Sequence, residues 1–141
     1  MHEPVMTVEE IDRFLRRDFP QMWQDGEVFS VDAVDRGRVV MRCEPAERHL
    51  RPGGTVSGPT LFTLADVTAY VAVLAHVGPV ALAVTTNLNI NFLHRPRPGP
   101  LLCEGTLLKL GKRLVVIDTL IRDDAERVVA QATGTYSVPP R

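Results

Sequence analysis

Asp66 is the only formally charged side chain between Pro59 and Val77, in a run otherwise made of apolar residues, threonines and one histidine. A carboxylate in such surroundings can act as a general base toward water. It can also do no more than hydrogen-bond a neighbouring loop, and spacing alone leaves these roles open. Eight positions earlier, Gly58 closes the glycine-rich stretch Gly53-Gly54-Thr55-Val56-Ser57-Gly58. The first N–H groups of a helix starting there are unpaired and carry the positive end of its dipole. Such donors stabilise negative charge building on a carbonyl oxygen. Gly58 and Asp66 would be separated by about 12 Å along one helix, too far to act on the same carbon. Two copies with these helices antiparallel about a twofold axis would set Gly58 of one against Asp66 of the other.

The helix that must position Asp66 is expected from about Pro59, well placed at a first helical position, to Val77, where Gly78-Pro79 stops it. It is apolar on nearly every face, as a helix wrapped by protein is. A membrane span would need about 20 apolar residues and would hold Asp66 inside it at a cost of a few kcal/mol, so a core helix is the better reading. Upstream, Thr7-Val8-Glu9-Glu10 has the form of a capping box, and Ile11, Phe14 and Leu15 follow at helical spacing until Pro20. Trp23 reads as a packing plug in a loop. From Glu27 the period becomes two: Phe29, Val31 and Ala33 alternate with polar neighbours, Asp35-Arg36-Gly37 turns, and Val39, Met41 and Cys43 return, which is a hairpin.

After the helix, Leu82, Val84, Thr86, Leu88, Ile90 and Phe92 alternate with Ala83, Thr85, Asn87, Asn89, Asn91 and Leu93. This is a long strand with one polar face. Arg95-Pro96-Arg97-Pro98-Gly99-Pro100 cannot stay in a ladder and reads as a rigid turn displaying two guanidiniums. Residues 101–110, 113–122 and 127–138 read as three more strands, giving an α+β chain of about six antiparallel strands curled around one long helix.

The chain of 141 residues suits one domain spanning 1–141, with its core from about 27 to 138. A net charge of −1 gives no basic field for nucleic acid or a membrane surface. Cys43 and Cys103 lie in expected strands without metal or redox spacing, and no leader pattern follows Met1, so reduced thiols in a cytoplasmic protein are expected. His49, His76 and His94 are not spaced as metal ligands, and no metal is expected.

The frame from Arg51-Pro52-Gly53-Gly54-Thr55-Val56-Ser57-Gly58-Pro59 to Leu64-Ala65-Asp66, the strand Thr85-Thr86-Asn87-Leu88-Asn89-Ile90-Asn91, and the closing Ala130-Gln131-Ala132-Thr133-Gly134-Thr135-Tyr136 together resemble the hotdog-fold acyl-CoA thioesterases. The likeness is to the branch typified by the phenylacetate-pathway thioesterases. It implies a hotdog fold and hydrolysis of an acyl-CoA thioester, with no cofactor, since coenzyme A is part of the substrate. It implies that Asp66 is the catalytic carboxylate, as base or nucleophile, that the Gly58 N–H polarises the carbonyl, and that the Thr85 hydroxyl supports the attacking water. It also implies a homodimer with sites at the interface, often doubled to a dimer of dimers.

Three positions depart from the family pattern: its Asn is Arg51, its His is Ser57 and its second Gly is Pro59. The change to Pro59 spares the Gly58 N–H, while the other two alter groups near substrate. Arg51, Ser57, Pro59, Phe62 and Asn87 are therefore expected along the substrate, and Arg95, Arg97, Lys112 and Arg113, in turns near strand ends, are candidates for the coenzyme A phosphates. A non-catalytic acyl-CoA-binding module is the competing reading. A hotdog dehydratase or hydratase would want an Asp/His pair where position 57 is Ser.

Overall fold

A computed structural model describes residues 2–24 and 26–140. Helix α1 (Val8–Asp18) and a 3-10 turn (Pro20–Trp23) lead into strands β1 (Phe29–Asp35) and β2 (Arg38–Cys43). Helix α2 (Gly58–Val77) follows, then β3 (Val84–Phe92), β4 (Leu101–Leu110), β5 (Leu114–Arg122) and β6 (Val128–Ser137). The six strands form one sheet in the order β1-β2-β4-β5-β6-β3, with every neighbouring pair antiparallel. The sheet wraps α2, which contacts all six strands. This is the hotdog architecture, and the alternation of apolar residues every second position is what forces it: one face of each strand needs cover, and α2, the long apolar element among the described residues, supplies it.

Local signals set each boundary. Thr7 and Glu10 cap α1 reciprocally, with Glu10 N donating to Thr7 Oγ1 at 3.1 Å and Thr7 N to Glu10 Oε1 at 2.9 Å. Ile11, Phe14 and Leu15 form its buried face. Trp23 does plug the loop after α1, its Nε1 donating to the Phe29 carbonyl at 3.0 Å. At the end of α2, Gly78 adopts φ 116° and returns its N–H to Leu74 O at 2.9 Å, a left-handed conformation that favours glycine.

Small residues decide how close α2 lies to the sheet. A Cβ on Gly105 of β4 would stand 3.0 Å from Thr68 Cγ2, and one on Gly134 of β6 would stand 3.5 Å from Ala69 Cβ. Thr68 cannot swing its methyl away freely, because its hydroxyl donates to Leu64 O at 2.7 Å. The close seating buries Leu61, Leu64, Leu74, Val71 and Val73 almost completely, at about 1.5–3 kcal/mol for each large apolar side chain. Although α2 is long and apolar enough to cross a membrane, 78% of its apolar window is buried inside the molecule, as in a core helix. His76 near its end is buried too. The Gly37 N–H donates to its Nε2 at 2.9 Å, which docks the β1–β2 turn onto the helix.

The observed elements match the expected ones to within a residue or two, except along β3. There the pairing with β6 slips between Thr85 and Asn87, so that Thr86 is an extra residue. A bulge of this kind reverses which side chains face inward on one side of it. Leu88, Ile90 and Phe92 keep the inward parity read from the sequence. Before the bulge the parity is exchanged: Ala83 is buried, while Leu82 and Val84 are 77% and 56% exposed. The expectation that Thr85 shares a face with Asn87 is therefore corrected.

Candidate active site

Most of α2 is enclosed, but Pro59, Phe62 and Thr63 are exposed and Asp66 is half-buried. These positions fall on a single stripe at spacings of three and four. The bulge at Thr86 swings the Thr85 hydroxyl under this stripe, where it donates to Asp66 Oδ1 at 2.7 Å. From β6, paired opposite Thr85, the Tyr136 phenol donates to the same oxygen at 2.7 Å and lies 3.1 Å from the Asp66 carbonyl. Burial pushes the Tyr136 phenol well above its ordinary range, and the neighbouring Asp66 charge adds to this, so the phenol keeps its proton. The Tyr136 ring is itself held, stacked on Tyr70 at 6.0 Å between centroids, and the Tyr70 hydroxyl is tied to Ala81 O at 3.1 Å. No described residue donates to Asp66 Oδ2, which leaves that oxygen of the half-buried side chain free to accept.

The other half of the site lies at the start of α2. Ser57 is the N-cap: its Oγ accepts the Thr60 N–H at 3.3 Å and pairs with Thr60 Oγ1 at 2.8 Å. Leu61 N donates to Ser57 O at 3.2 Å, and Pro59 has no N–H. Among the described residues no acceptor takes the Gly58 N–H, so it is the open donor of the first turn. Gly58 lines a cleft of about 650 Å³. Arg51, Pro59, Leu61, Phe92, His94 and Arg95 also line it, and its lining contains no acidic side chain. The Phe92 ring covers Gly58, 3.4 Å from where a Cβ would stand. The loop feeding the helix is closed on itself, Arg51 N donating to Thr55 O at 2.9 Å, and is tied by Val56 N to Pro96 O at 2.9 Å.

The remaining expected residues are dispersed. Arg95 lines the Gly58 cleft, whereas Arg97, also exposed, is not part of its lining. Lys112 and Arg113 sit in the β4–β5 turn beside the Ser137 end of β6, at the opposite end of the sheet from Phe92. The Arg113 Nε donates to Val138 O at 3.2 Å. The four candidate phosphate-binding cations are thus split between two ends of a strand about 25 Å long. Asn87 is corrected as well: paired with Thr135 beyond the bulge, it faces away from α2 and Asp66. Phe62 is 41% exposed on the Asp66 stripe. Among the described residues no three His, Cys, Asp or Glu side chains come together as a metal site would require.

Sequence reasoning missed Tyr136, Phe92 and His94 as site residues. Tyr136 had a signal: it ends the alternating run Ala130, Ala132, Gly134, Tyr136, whose small members admit α2 and whose last member is a large polar-tipped one. His94 and Phe92 had none, because their place beside Gly58 depends on where β3 ends relative to the helix.

Comparison with known proteins follows the same lines. The profile of the 4HBT thioesterase superfamily matches residues 53–130, which hold Gly58, Asp66 and Thr85. A crystal structure described as a "putative thioesterase" from Silicibacter sp. TM1040 superposes with a TM-score of 0.88 and is 48% identical, covering 99% of this chain and 96% of that one. A "putative esterase" of Pseudomonas aeruginosa is 32% identical over 96% of this chain and all of its own length. A Streptococcus mutans protein, solved bound to acetyl CoA, is 27% identical with a TM-score of 0.70, covering 82% of this chain and 91% of that one. With a helix N-terminus and a hydroxyl-held carboxylate inside the matched region, and a hotdog sheet around them, this chain belongs to the thioesterase superfamily.

Proposed function

We propose that this protein hydrolyses acyl-CoA thioesters to free acid and coenzyme A. The observation that carries the reading is the Asp66 carboxylate, gripped at Oδ1 and open at Oδ2 on the one exposed stripe of a buried helix. As base, Oδ2 takes a proton from water while the water oxygen bonds to the thioester carbon. As nucleophile, Oδ2 bonds to that carbon itself and water later cleaves the acyl-enzyme. In both cases charge gathers on the carbonyl oxygen, where the Gly58 N–H stabilises it, and the C–S bond breaks to release the thiol.

Gly58 and Asp66 cannot serve one carbon within one chain, so the site is shared across a homodimer. Two features support this. The Pro59, Phe62, Thr63 and Asp66 stripe is uncovered, and β3 is an edge strand of nine residues with unpaired backbone on one side. Pairing two β3 edges about a twofold axis would set the stripes face to face. It would also bring Arg95 of one chain toward Lys112 and Arg113 of the other, reuniting around the coenzyme A phosphates cations that a single chain keeps apart. Acetyl CoA on the Streptococcus mutans relative supports a coenzyme A thioester as ligand. The buried, free Cys43 and Cys103 thiols, each pushed up to about 12 by burial, suit a reducing cytoplasm where acyl-CoA is found.

Two features favour the binding-module reading: Ser57 spends its hydroxyl on the helix cap, and Arg51 stands where the resembled family has Asn. The test is release of free thiol from short, medium, long and aromatic acyl-CoAs by the wild-type protein and by Asp66→Asn. Turnover lost in the variant supports the enzyme. Tight binding of acyl-CoA with no turnover by the wild type replaces it with the module.

A further inference from the structure

We infer that Tyr136 is a positioning residue that fixes how the Asp66 carboxylate is turned toward the substrate, a role that rests on the thioesterase reading above. Three observations carry it. Its hydroxyl reaches Asp66 Oδ1 at 2.7 Å, the distance of a charge-assisted O–H donor, and it does so from a different strand than Thr85, which reaches the same atom. The residue is only 3% exposed and its ring stacks on Tyr70, which in turn makes a T-shaped contact with Phe19 at 5.9 Å, so the phenol oxygen has little freedom to leave. Its proton is retained, because burial and the adjacent carboxylate both oppose the phenolate.

The consequence is geometric. A carboxylate free at its last torsion samples a broad range of orientations, many of which aim neither oxygen at the substrate. Two donors arriving at Oδ1 from β3 and β6 remove that freedom and leave Oδ2 as the oxygen without a donor. Tyr136 need not touch the substrate to matter, since a reacting atom misplaced by an ångström can cost about 100-fold. Sequence spacing could not reveal the pair, seventy positions apart.

The test replaces Tyr136 by Phe, which keeps the ring on Tyr70 and removes only the hydroxyl. With an acyl-CoA that the wild type hydrolyses, kcat is expected to fall by about 10-fold or more, the size of one lost hydrogen bond to a charged group, while KM stays within about 2-fold. In an Asp66→Asn background the same substitution should cost nothing further, because the group that Tyr136 positions is gone. A general structural defect would instead lower both backgrounds alike. Should Tyr136→Phe not fold, p-aminophenylalanine at 136 keeps the shape with a weaker N–H donor; kcat should then fall with KM unchanged. Unchanged kcat in either variant, or an equal loss in the Asp66→Asn background, overturns the positioning role while leaving the thioesterase reading intact. Absence of hydrolysis by the wild type overturns both.

Discussion

The two halves of the candidate site are built in opposite ways. At Asp66, side chains from α2, β3 and β6 converge on one atom, and every contact comes from regular structure. At Gly58, the donor is a backbone N–H at the start of the helix, and most of its surroundings come from two loops, 51–57 and 93–96, with Phe92 at the end of β3 laid over it. The first half depends on the identity of a few side chains, the second on the course of the backbone. This explains why the departures Arg51, Ser57 and Pro59 all fall in the second half: a loop can exchange side chains there while its N–H remains.

The largest expected effect breaks the first half. Asp66→Asn should lower kcat by about 10² to 10⁴-fold, the usual range for a lost general base, with the fold kept, as judged by circular dichroism. Near wild-type turnover would remove Asp66 from the chemistry. On the Gly58 side, Arg95→Ala should raise KM for an acyl-CoA by about 10-fold, the value of a charge-assisted phosphate contact, and leave KM for the matching acyl-pantetheine unchanged. Arg97→Ala, outside the cleft lining, is the control, and equal effects of the two would erase the distinction between them.

Joining the halves gives a smaller signal. Asp66→Ala and Gly58→Pro homodimers should each be inactive, whereas co-refolding them in equal amounts should give half heterodimers, each with one intact site. Activity should then return to about a quarter of wild type. If both variants dimerise and exchange yet the mixture stays dead, the sharing of Gly58 and Asp66 is wrong. The smallest effect concerns stability alone. Gly105→Ala, which pushes a methyl against Thr68 two residues beyond Asp66, should cost about 1–3 kcal/mol in urea unfolding. Pro52→Ala in the exposed loop should stay within about 0.5 kcal/mol. Similar costs would mean that the loop is as tightly determined as the helix seat.

The sequence disclosed what depends on local pattern. Thr7 and Glu10, the run from Pro59 to Val77, and the alternation in each strand define elements by their own periods, and the observed elements follow them. Asp66 stood out as a charge in an apolar run, and Gly58 as a glycine at a helix start. What stayed hidden depends on pairing between distant segments. Thr85 and Tyr136 meet only because β3 lies beside β6 at the sheet edge. Lys112 and Arg113 part from Arg95 because β3 and the β4–β5 turn approach from opposite ends. The bulge at Thr86 had no glycine or proline to mark it, and the three successive polar residues Thr85-Thr86-Asn87 do not show which of them is the extra one.

That bulge also bears on how relatives of this chain should be compared. It is a one-residue insertion, and it alone decides whether position 85 or its neighbour points at the carboxylate. A relative with a regular strand would have to supply the same hydroxyl from the adjoining position. An alignment without a gap would then place two equivalent residues in different columns, and each would look unmatched. Equivalence along β3 is best traced through the β6 partner, by asking which residue stands opposite Tyr136.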